Sequence, residues 1–209
     1  MTEESQHLND LTEIRKMMEK SSRFLSLSGL SGIFAGVYAL LGAALVYFNS
    51  GNVYQSFIRV GEDGESQSKK LVFLISVGAV VLVISLLTAY FFSSRKAKRE
   101  ELPIWDKTAK LMLEALLTPL LVGGVLCIIF IYHEQYRFVA PLTLVFYGLA
   151  LLNASKYTFK EAKFLSYAEI CLGLLATYFF GSGLLFWAIG FGVLHILYGA
   201  LMYLKYERS

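Results

Sequence analysis

The sequence predicts an all-α polytopic membrane protein, with six transmembrane helices in up-and-down hairpins behind a short amphipathic N-terminal helix. The first observation is composition: 56% of the 209 residues are hydrophobic and only 17% are charged. A soluble domain is usually closer to a quarter charged and less than half apolar. The second is a series of long apolar runs, and the third is an alternation of basic and non-basic connections between them. Together they predict that the lipid bilayer surrounds the chain.

Six apolar runs are candidates for spans, because a helix needs about 20 mostly apolar residues to cross about 30 Å of hydrocarbon. They cover residues 25–48, 71–92, 111–132, 138–153, 164–180 and 184–204. The fourth and fifth runs are short, so a single broken span is the alternative. That alternative would put Lys156, Lys160 and Lys163 into hydrocarbon, where a central lysine costs about 2.5–3.5 kcal/mol. We therefore predict two separate helices.

Basic residues are concentrated in alternate connections, which predicts the orientation of the chain. Segments rich in Lys and Arg lie before the first span, between the second and third, between the fourth and fifth, and after the sixth. In the first connection the bases are offset by acids, the third has Arg137 alone, and the fifth has none. Short basic loops stay in the cytoplasm. This rule predicts both termini inside, residues 49–70, 133–137 and 181–183 outside, and the plasma (inner) membrane as the location.

The predicted organisation is a cytoplasmic N-terminal segment (1–23), a transmembrane domain (24–204) and a cytoplasmic tail (205–209). In the first segment Asp10 and Glu13 have the spacing of a capping box. Apolar residues fall on one side of the predicted N-terminal helix: Leu8, Leu11, Ile14, Met17 and Met18. This pattern is typical of a helix that binds a partner or the membrane surface. An extension of the first span that rests on its own loops is the alternative.

Several function classes find no support in the sequence. It has no glycine loop for phosphates, no metal-binding histidine pair on a helix and no nucleophile motif, so we do not expect an enzyme. The basic residues are spread over four segments instead of forming a groove, which argues against nucleic-acid binding. Cys127 and Cys171 lack the paired spacing of a disulfide or zinc site. The sequence identifies no cofactor.

Small residues recur every four positions on three of the predicted spans. Membrane helices associate through such stripes, because small side chains let the backbones approach closely. The stripes are Ser28, Gly32 and Gly36, then Gly173, Thr177 and Gly181, then Ala188 and Gly192. The partner helix can belong to the same chain, to a second copy or to another protein.

Glu169 and His195 form the most informative pair of ionisable residues within the spans. Each lies 13 residues from Ser182, the centre of the last predicted turn. At about 1.5 Å per residue both are about 20 Å from the outer end, at equal depth. Each also shares a helix face with small residues, so both should point into a packed interface. The sequence predicts that they lie within hydrogen-bond reach, directly or through one water.

Polar residues on other spans extend this pair to a predicted polar layer. At comparable depth lie Ser85, Thr118 and Asn153, whereas Glu114 lies lower, near the cytoplasmic headgroups. Pro119 lacks the N–H that would bond the carbonyl of Ala115, so that carbonyl is free for another donor. The candidate site for a ligand, proton or ion comprises Glu169, His195, Asn153, Thr118, Ser85 and Glu114.

The pair has several interpretations. It can be a structural hydrogen bond worth about 0.6–2 kcal/mol, a proton or ion site, a polar ligand pocket, or part of a metal or haem site, for which two ligands are too few. We expect an interaction or regulatory membrane protein that acts through helix packing and its N-terminal segment. The alternatives are a small transporter or channel, and an intramembrane enzyme. A closed, dry pair favours the first; a cavity open to one side favours transport.

Overall fold

A computed structural model describes residues 27–50, 64–101, 103, 105–179 and 181–208, and in these ranges all regular structure is helical. The predicted all-α fold with six helices is confirmed. The helices are α1 (Gly29–Ser50), α2 (Gly64–Arg99), α3 (Lys107–Tyr132), α4 (Val139–Ala154), α5 (Glu161–Tyr178) and α6 (Gly183–Tyr206). A 3-10 turn, Tyr136–Phe138, precedes α4. The predicted N-terminal amphipathic helix lies outside the described residues.

Five of these helices, α1 to α4 and α6, are long and apolar enough to cross a membrane. They indicate an integral membrane protein surrounded by lipid. The exception is α5, which has 18 residues and carries three charged ones: Glu161, Lys163 and Glu169. It packs along α4 and also contacts α6, so this charged helix lies against two apolar ones.

Two helix boundaries differ from the sequence prediction in an informative way. The helix α2 has 36 residues and extends the predicted span 71–92 at both ends. Its length of about 54 Å exceeds the hydrocarbon thickness. Lysine and arginine are good helix formers, so the basic segment after residue 92 continues the helix instead of starting a loop. The short fourth and fifth runs form separate helices, and the broken-span alternative is wrong.

The helices pack as neighbours in the order α2, α1, α6, then α5 with α4, and finally α3. The outermost helix α2 contacts mainly α1, and none of the residues in its most apolar stretch is buried. On the other side α3 packs against α4. The interior of the bundle is therefore built by α1, α4, α5 and α6.

The small-residue stripes are used within the chain. A Cβ added at Gly36 would lie 2.5 Å from the carbonyl oxygen of Gly192, and one added at Gly199 would lie 2.5 Å from the amide nitrogen of Ile33. On α5, a Cβ at Gly173 would lie 2.9 Å from the carbonyl oxygen of Pro141. Only glycine permits such backbone contact, and it joins α1 to α6 and α5 to α4.

At one end of the bundle, a buried ion pair closes the structure. We call this the basic end; it carries Lys96, the turn at residues 155–160 and Glu207. The Lys96 and Glu207 side chains are only 5% and 8% exposed, and their charged atoms lie 3.4 Å apart. Glu207 also accepts hydrogen bonds from the Gly29 amide (2.6 Å) and the Ser28 hydroxyl (3.1 Å). The last residues of the chain thus cap the first turn of α1, where a negative charge is favourable.

Candidate functional site

Glu169 of α5 and His195 of α6 meet in the interior of the bundle. Glu169 Oε1 lies 3.5 Å from His195 Nδ1. Glu169 is 0% exposed, and His195 is buried as well. Equal depth along the hairpin thus predicted correctly that the two residues are neighbours, but no direct hydrogen bond joins them within the described residues.

Both ring nitrogens of His195 have a close polar partner. Nδ1 lies 3.0 Å from the carbonyl oxygen of Gly190, and Nε2 lies 2.7 Å from the hydroxyl of Tyr147. A carbonyl oxygen can only accept, so the proton belongs on Nδ1, which donates to Gly190. In the neutral ring Nε2 then accepts from the Tyr147 hydroxyl. The imidazole is held from both sides, with Nδ1 within reach of Glu169.

The carboxyl group of Glu169 is different, because neither of its oxygens accepts a hydrogen bond from any group in the described part of the chain. Its nearest charged partner is His195, which carries a charge only when it is doubly protonated. A buried polar group without a hydrogen-bond partner costs free energy, and a buried unpaired charge costs much more. A carboxyl group in this environment can therefore serve as one that takes up and releases a proton.

This carboxyl group lies against a locally distorted segment of α6. The helix is α-helical over Gly183–Trp187, π-helical over Ala188–Leu194 and α-helical again over His195–Tyr206. Short π-helical segments occur frequently at functional sites. A Cβ added at Gly190 would lie 2.5 Å from Glu169 Oε2 and from a methyl carbon of Leu144. The absent side chain of Gly190 thus provides the space that Glu169 occupies.

The structure does not bring the other four predicted residues to the pair. Asn153 donates to the carbonyl of Ala115 at 3.0 Å, which is the carbonyl that the sequence predicted Pro119 to leave free. Thr118 donates to the Glu114 carbonyl at 2.9 Å, and both residues are exposed on α3. Ser85 lies on α2, whose neighbour is α1. Equal depth does not determine which side of a helix faces the interior.

Sequence reasoning missed Tyr147 and the two aromatic rings beside it. The ring centroid of Phe191 lies 4.9 Å from that of Tyr147 and 5.8 Å from that of His195, and Trp187 packs on Phe191 at 5.0 Å. The signal was a tyrosine in the middle of an apolar run, since a buried tyrosine hydroxyl usually has a hydrogen-bond partner. Tyr147 was missed because the predicted site was built from the ionisable residues within the spans and their polar companions.

A cavity of about 520 Å³ lies at the end of the bundle opposite the basic end. It is mostly apolar, and residues from all six helices line it. Among them Thr143 is one turn before Tyr147 on α4, about 6 Å along the axis. Trp187 also lines the cavity and packs on Phe191. The aromatic rings of Trp187 and Phe191 therefore lie between the cavity and the polar residues His195 and Glu169.

Within the described residues, no group of three or more His, Cys, Asp or Glu side chains lies together so as to hold a metal ion. Comparison with known proteins gives no further indication: no protein-family model, no curated protein and no solved structure matches the chain.

Proposed function

We propose that the protein is a small proton-linked membrane transporter in which Glu169 takes up and releases the proton. The observation that carries the proposal is the fully buried Glu169 carboxyl group, whose oxygens have no hydrogen-bond donor in the described ranges. Ionisable residues inside membrane helices are costly, and they usually mark proton relays or substrate pathways. A side chain that served only to join helices would be expected to have its hydrogen bonds satisfied.

The surroundings of Glu169 supply a short relay. The Tyr147 hydroxyl, the imidazole of His195 and the Glu169 carboxyl follow one another at 2.7 Å and 3.5 Å. When Tyr147 passes its hydroxyl proton to Nε2 and takes another proton from the cavity side, the Nδ1 proton of His195 can pass to Glu169 if the ring turns from the Gly190 carbonyl towards Oε1. The acceptor and donor atoms are neighbours, so this transfer needs only a small movement of side chains.

Neither Glu169 nor His195 lines the large cavity, and a closed pair taken alone would favour the interaction role. The support for transport is the position of the cavity. It lies one to two helical turns from the relay, on one side only, and is separated from it by the Trp187 and Phe191 rings. A small, mostly apolar solute fits its lining, with polar groups such as Thr143 on the wall. Movement of the two rings would connect the solute with the proton site. On the other side the Lys96–Glu207 ion pair closes the bundle.

We propose that the basic end faces the cytoplasm and that the protein resides in the plasma membrane. The support is the alternation of basic connections along the chain, since short loops rich in Lys and Arg remain inside. Reporter fusions after Gly61 and after Lys98 should then report opposite sides of the membrane. The same side for both fusions would contradict the orientation.

The interaction or regulatory role remains a prediction, and it has less support. The small-residue stripes that suggested a partner are occupied by helices of the same chain. A second copy or a protein partner would have to bind elsewhere, on the exposed faces of α2 and α3. Crosslinking through cysteines introduced on α2 would detect a second copy.

The proposal is tested with the purified protein in liposomes that contain a pH-sensitive dye. We expect a pH gradient across the membrane to drive proton movement in the wild type and the Glu169→Gln variant to abolish it. Glu114→Gln is the matched control, because Glu114 is an exposed carboxylate on α3. The melting temperatures of the variants establish that both remain folded.

Infrared spectroscopy gives a second readout that needs no cargo. A carboxylic acid and a carboxylate absorb at different frequencies, so a pH titration should show a carboxyl band that Glu169→Gln removes and Glu114→Gln retains. A proton flux that is equal in all three proteins would overturn the proposal. So would a Glu169 band that does not respond to pH.

A further inference from the structure

A second cavity, of about 390 Å³, lies at the basic end beside the turn between α4 and α5. It is distinct from the Glu169 site and from the large cavity at the opposite end. Its polar wall comes from hydroxyl and ammonium groups close together in the sequence. The residues that matter are Ser155, Lys156, Thr158, Lys160, Lys163 and Tyr167.

The three lysines give this cavity a positive charge that no acid in the described ranges offsets. Lys156 donates to the neutral side-chain oxygen of Asn153 at 3.1 Å, which leaves its charge in place. Lys163 lies over the ring of Tyr167, 5.9 Å from the centroid. The nearest acid in sequence, Glu161, is bound by Lys205 of α6. Among the residues that the structure describes, no acidic side chain lines the cavity.

An exposed apolar stripe begins at this cavity and runs along α5 towards the other end of the bundle. Phe164 and Tyr178, near its two ends, are 75% and 77% exposed, and Tyr167 and Leu174 lie between them. Cys171 is exposed on the same face. A basic cavity of about 390 Å³, with room for a phosphate group, lies at the head of an apolar stripe. This arrangement matches the two parts of a phospholipid, an anionic headgroup and its acyl chains.

We infer that this cavity binds the phosphate of an anionic phospholipid, with an acyl chain lying along the exposed face of α5. Basic pockets between membrane helices are a recurrent way of holding such headgroups. The stripe favours a lipid over a soluble phosphate compound, because it offers an apolar surface next to the cavity along which the acyl chain of a bound phospholipid can lie. This inference does not depend on the transport proposal, since none of its residues belongs to the Glu169 site.

The first test measures binding of phosphatidylglycerol to the purified protein in phosphatidylcholine nanodiscs. Removing a lysine near a headgroup costs about five-fold in affinity, so Lys160→Gln with Lys163→Gln should lower it by roughly 25-fold. The matched control is Lys107→Gln with Lys110→Gln, which removes the same charge from exposed positions at the start of α3. We expect the control to retain the wild-type affinity.

The second test places the acyl chain on the protein. Cys127 is buried and Cys171 exposed, so a fluorophore can be attached selectively to Cys171, about 12 Å along α5 from Lys163. Phosphatidylglycerol brominated on its acyl chain should quench this fluorophore more strongly than brominated phosphatidylcholine. The double variant at Lys160 and Lys163 should remove the difference.

Three outcomes would overturn the inference. Equal losses of affinity in the two double variants would mean that the lysines act only through the general positive charge of the surface. Displacement of phosphatidylglycerol by inorganic phosphate or glycerol 3-phosphate at similar concentrations would mean that the cavity serves a soluble phosphate compound instead. Equal quenching of the wild type by the two brominated lipids would mean that α5 does not select the anionic one. This last measurement needs no variant, whereas each variant must first show the melting temperature of the wild type.

Discussion

Glu169 and Glu207 are both almost completely buried, but the structure treats their carboxyl groups in opposite ways. Glu207 accepts hydrogen bonds from the Gly29 amide and the Ser28 hydroxyl, and it pairs with Lys96. Glu169 has no hydrogen-bond donor in the described part of the chain, and its nearest partner is an imidazole at 3.5 Å. One carboxyl group is hydrogen-bonded and paired, and the other is not.

The contacts of Glu207 at the basic end stabilise the fold, whereas the burial of Glu169 in the interior lowers its stability. At the basic end three donors from the start of α1 and from α2 converge on one acid, so the charge of Glu207 fixes the ends of three helices. In the interior, Glu169 lacks such hydrogen-bond donors in the described part of the chain, which lowers the stability of the folded state. Local rules are violated most often at functional sites, and this contrast is the physical support for the proposed proton uptake at Glu169.

The largest effect should come from Lys96→Met. It removes the cation that pairs with Glu207 and that also donates to the Leu27 carbonyl at 3.0 Å. Breaking one side of a buried ion pair costs about 3–5 kcal/mol, so we expect a loss of this size in the free energy of unfolding in detergent. Lys98→Met, two residues away on the exposed face of α2, is the control. Equal losses in the two variants would show that Lys96 is not part of a buried cluster.

The second prediction compares the two acids directly. Glu207→Gln should lower the free energy of unfolding by about 1.5–3 kcal/mol, because it weakens hydrogen bonds to a charged group. Glu169→Gln should leave the free energy of unfolding unchanged or raise it, because it replaces a group that has no hydrogen-bond donor in the described ranges. The two variants are measured in the same detergent by chemical unfolding. A larger loss for Glu169→Gln would contradict the contrast between the sites.

The third prediction concerns two buried tyrosines. The Tyr147 hydroxyl lies 2.7 Å from His195, whereas the Tyr198 hydroxyl is buried without a hydrogen-bond partner in the described ranges. Tyr147→Phe should therefore cost about 1 kcal/mol, as interhelical hydrogen bonds in membranes do. Tyr198→Phe is the matched control and should cost nothing. If both changes have the same effect on the melting temperature, the bond to His195 does not hold α4 to α6.

The smallest effect should be a pH dependence at the basic end. Partial burial raises the pKa of Glu161, but hydrogen bonds from Lys205 and Tyr206 outweigh it and hold the pKa below its ordinary value of 4.5. A lowered pKa means that this carboxylate stabilises the fold above pH 4.5 and that the contribution is lost as the pH falls through the lowered value. The melting temperature of Glu161→Gln should therefore approach that of the wild type in acid. An equal difference at neutral and acidic pH would contradict this assignment.

The amino-acid sequence alone was enough to predict the class of the fold and the proximity of Glu169 and His195. Hydrophobic runs and basic connections predicted six helices, because apolar side chains have to avoid water and lysines have to avoid hydrocarbon. Counting residues from Ser182 brought Glu169 and His195 together, since the rise per residue of a helix is fixed. The missing N–H of Pro119 predicted a free carbonyl at Ala115, and Asn153 binds it. Each of these results follows from local geometry along one helix or one hairpin.

Which sides of the helices meet became known only from the folded chain. Lys96 and Glu207 are 111 residues apart, and the sequence offered no reason to separate Lys96 from its exposed basic neighbours. Nor did it place Tyr147 against His195, or show that α6 becomes π-helical where Glu169 needs space. These contacts depend on the rotation of each helix about its own axis. That rotation is set by close packing between glycines of different helices, which no single segment of the sequence specifies.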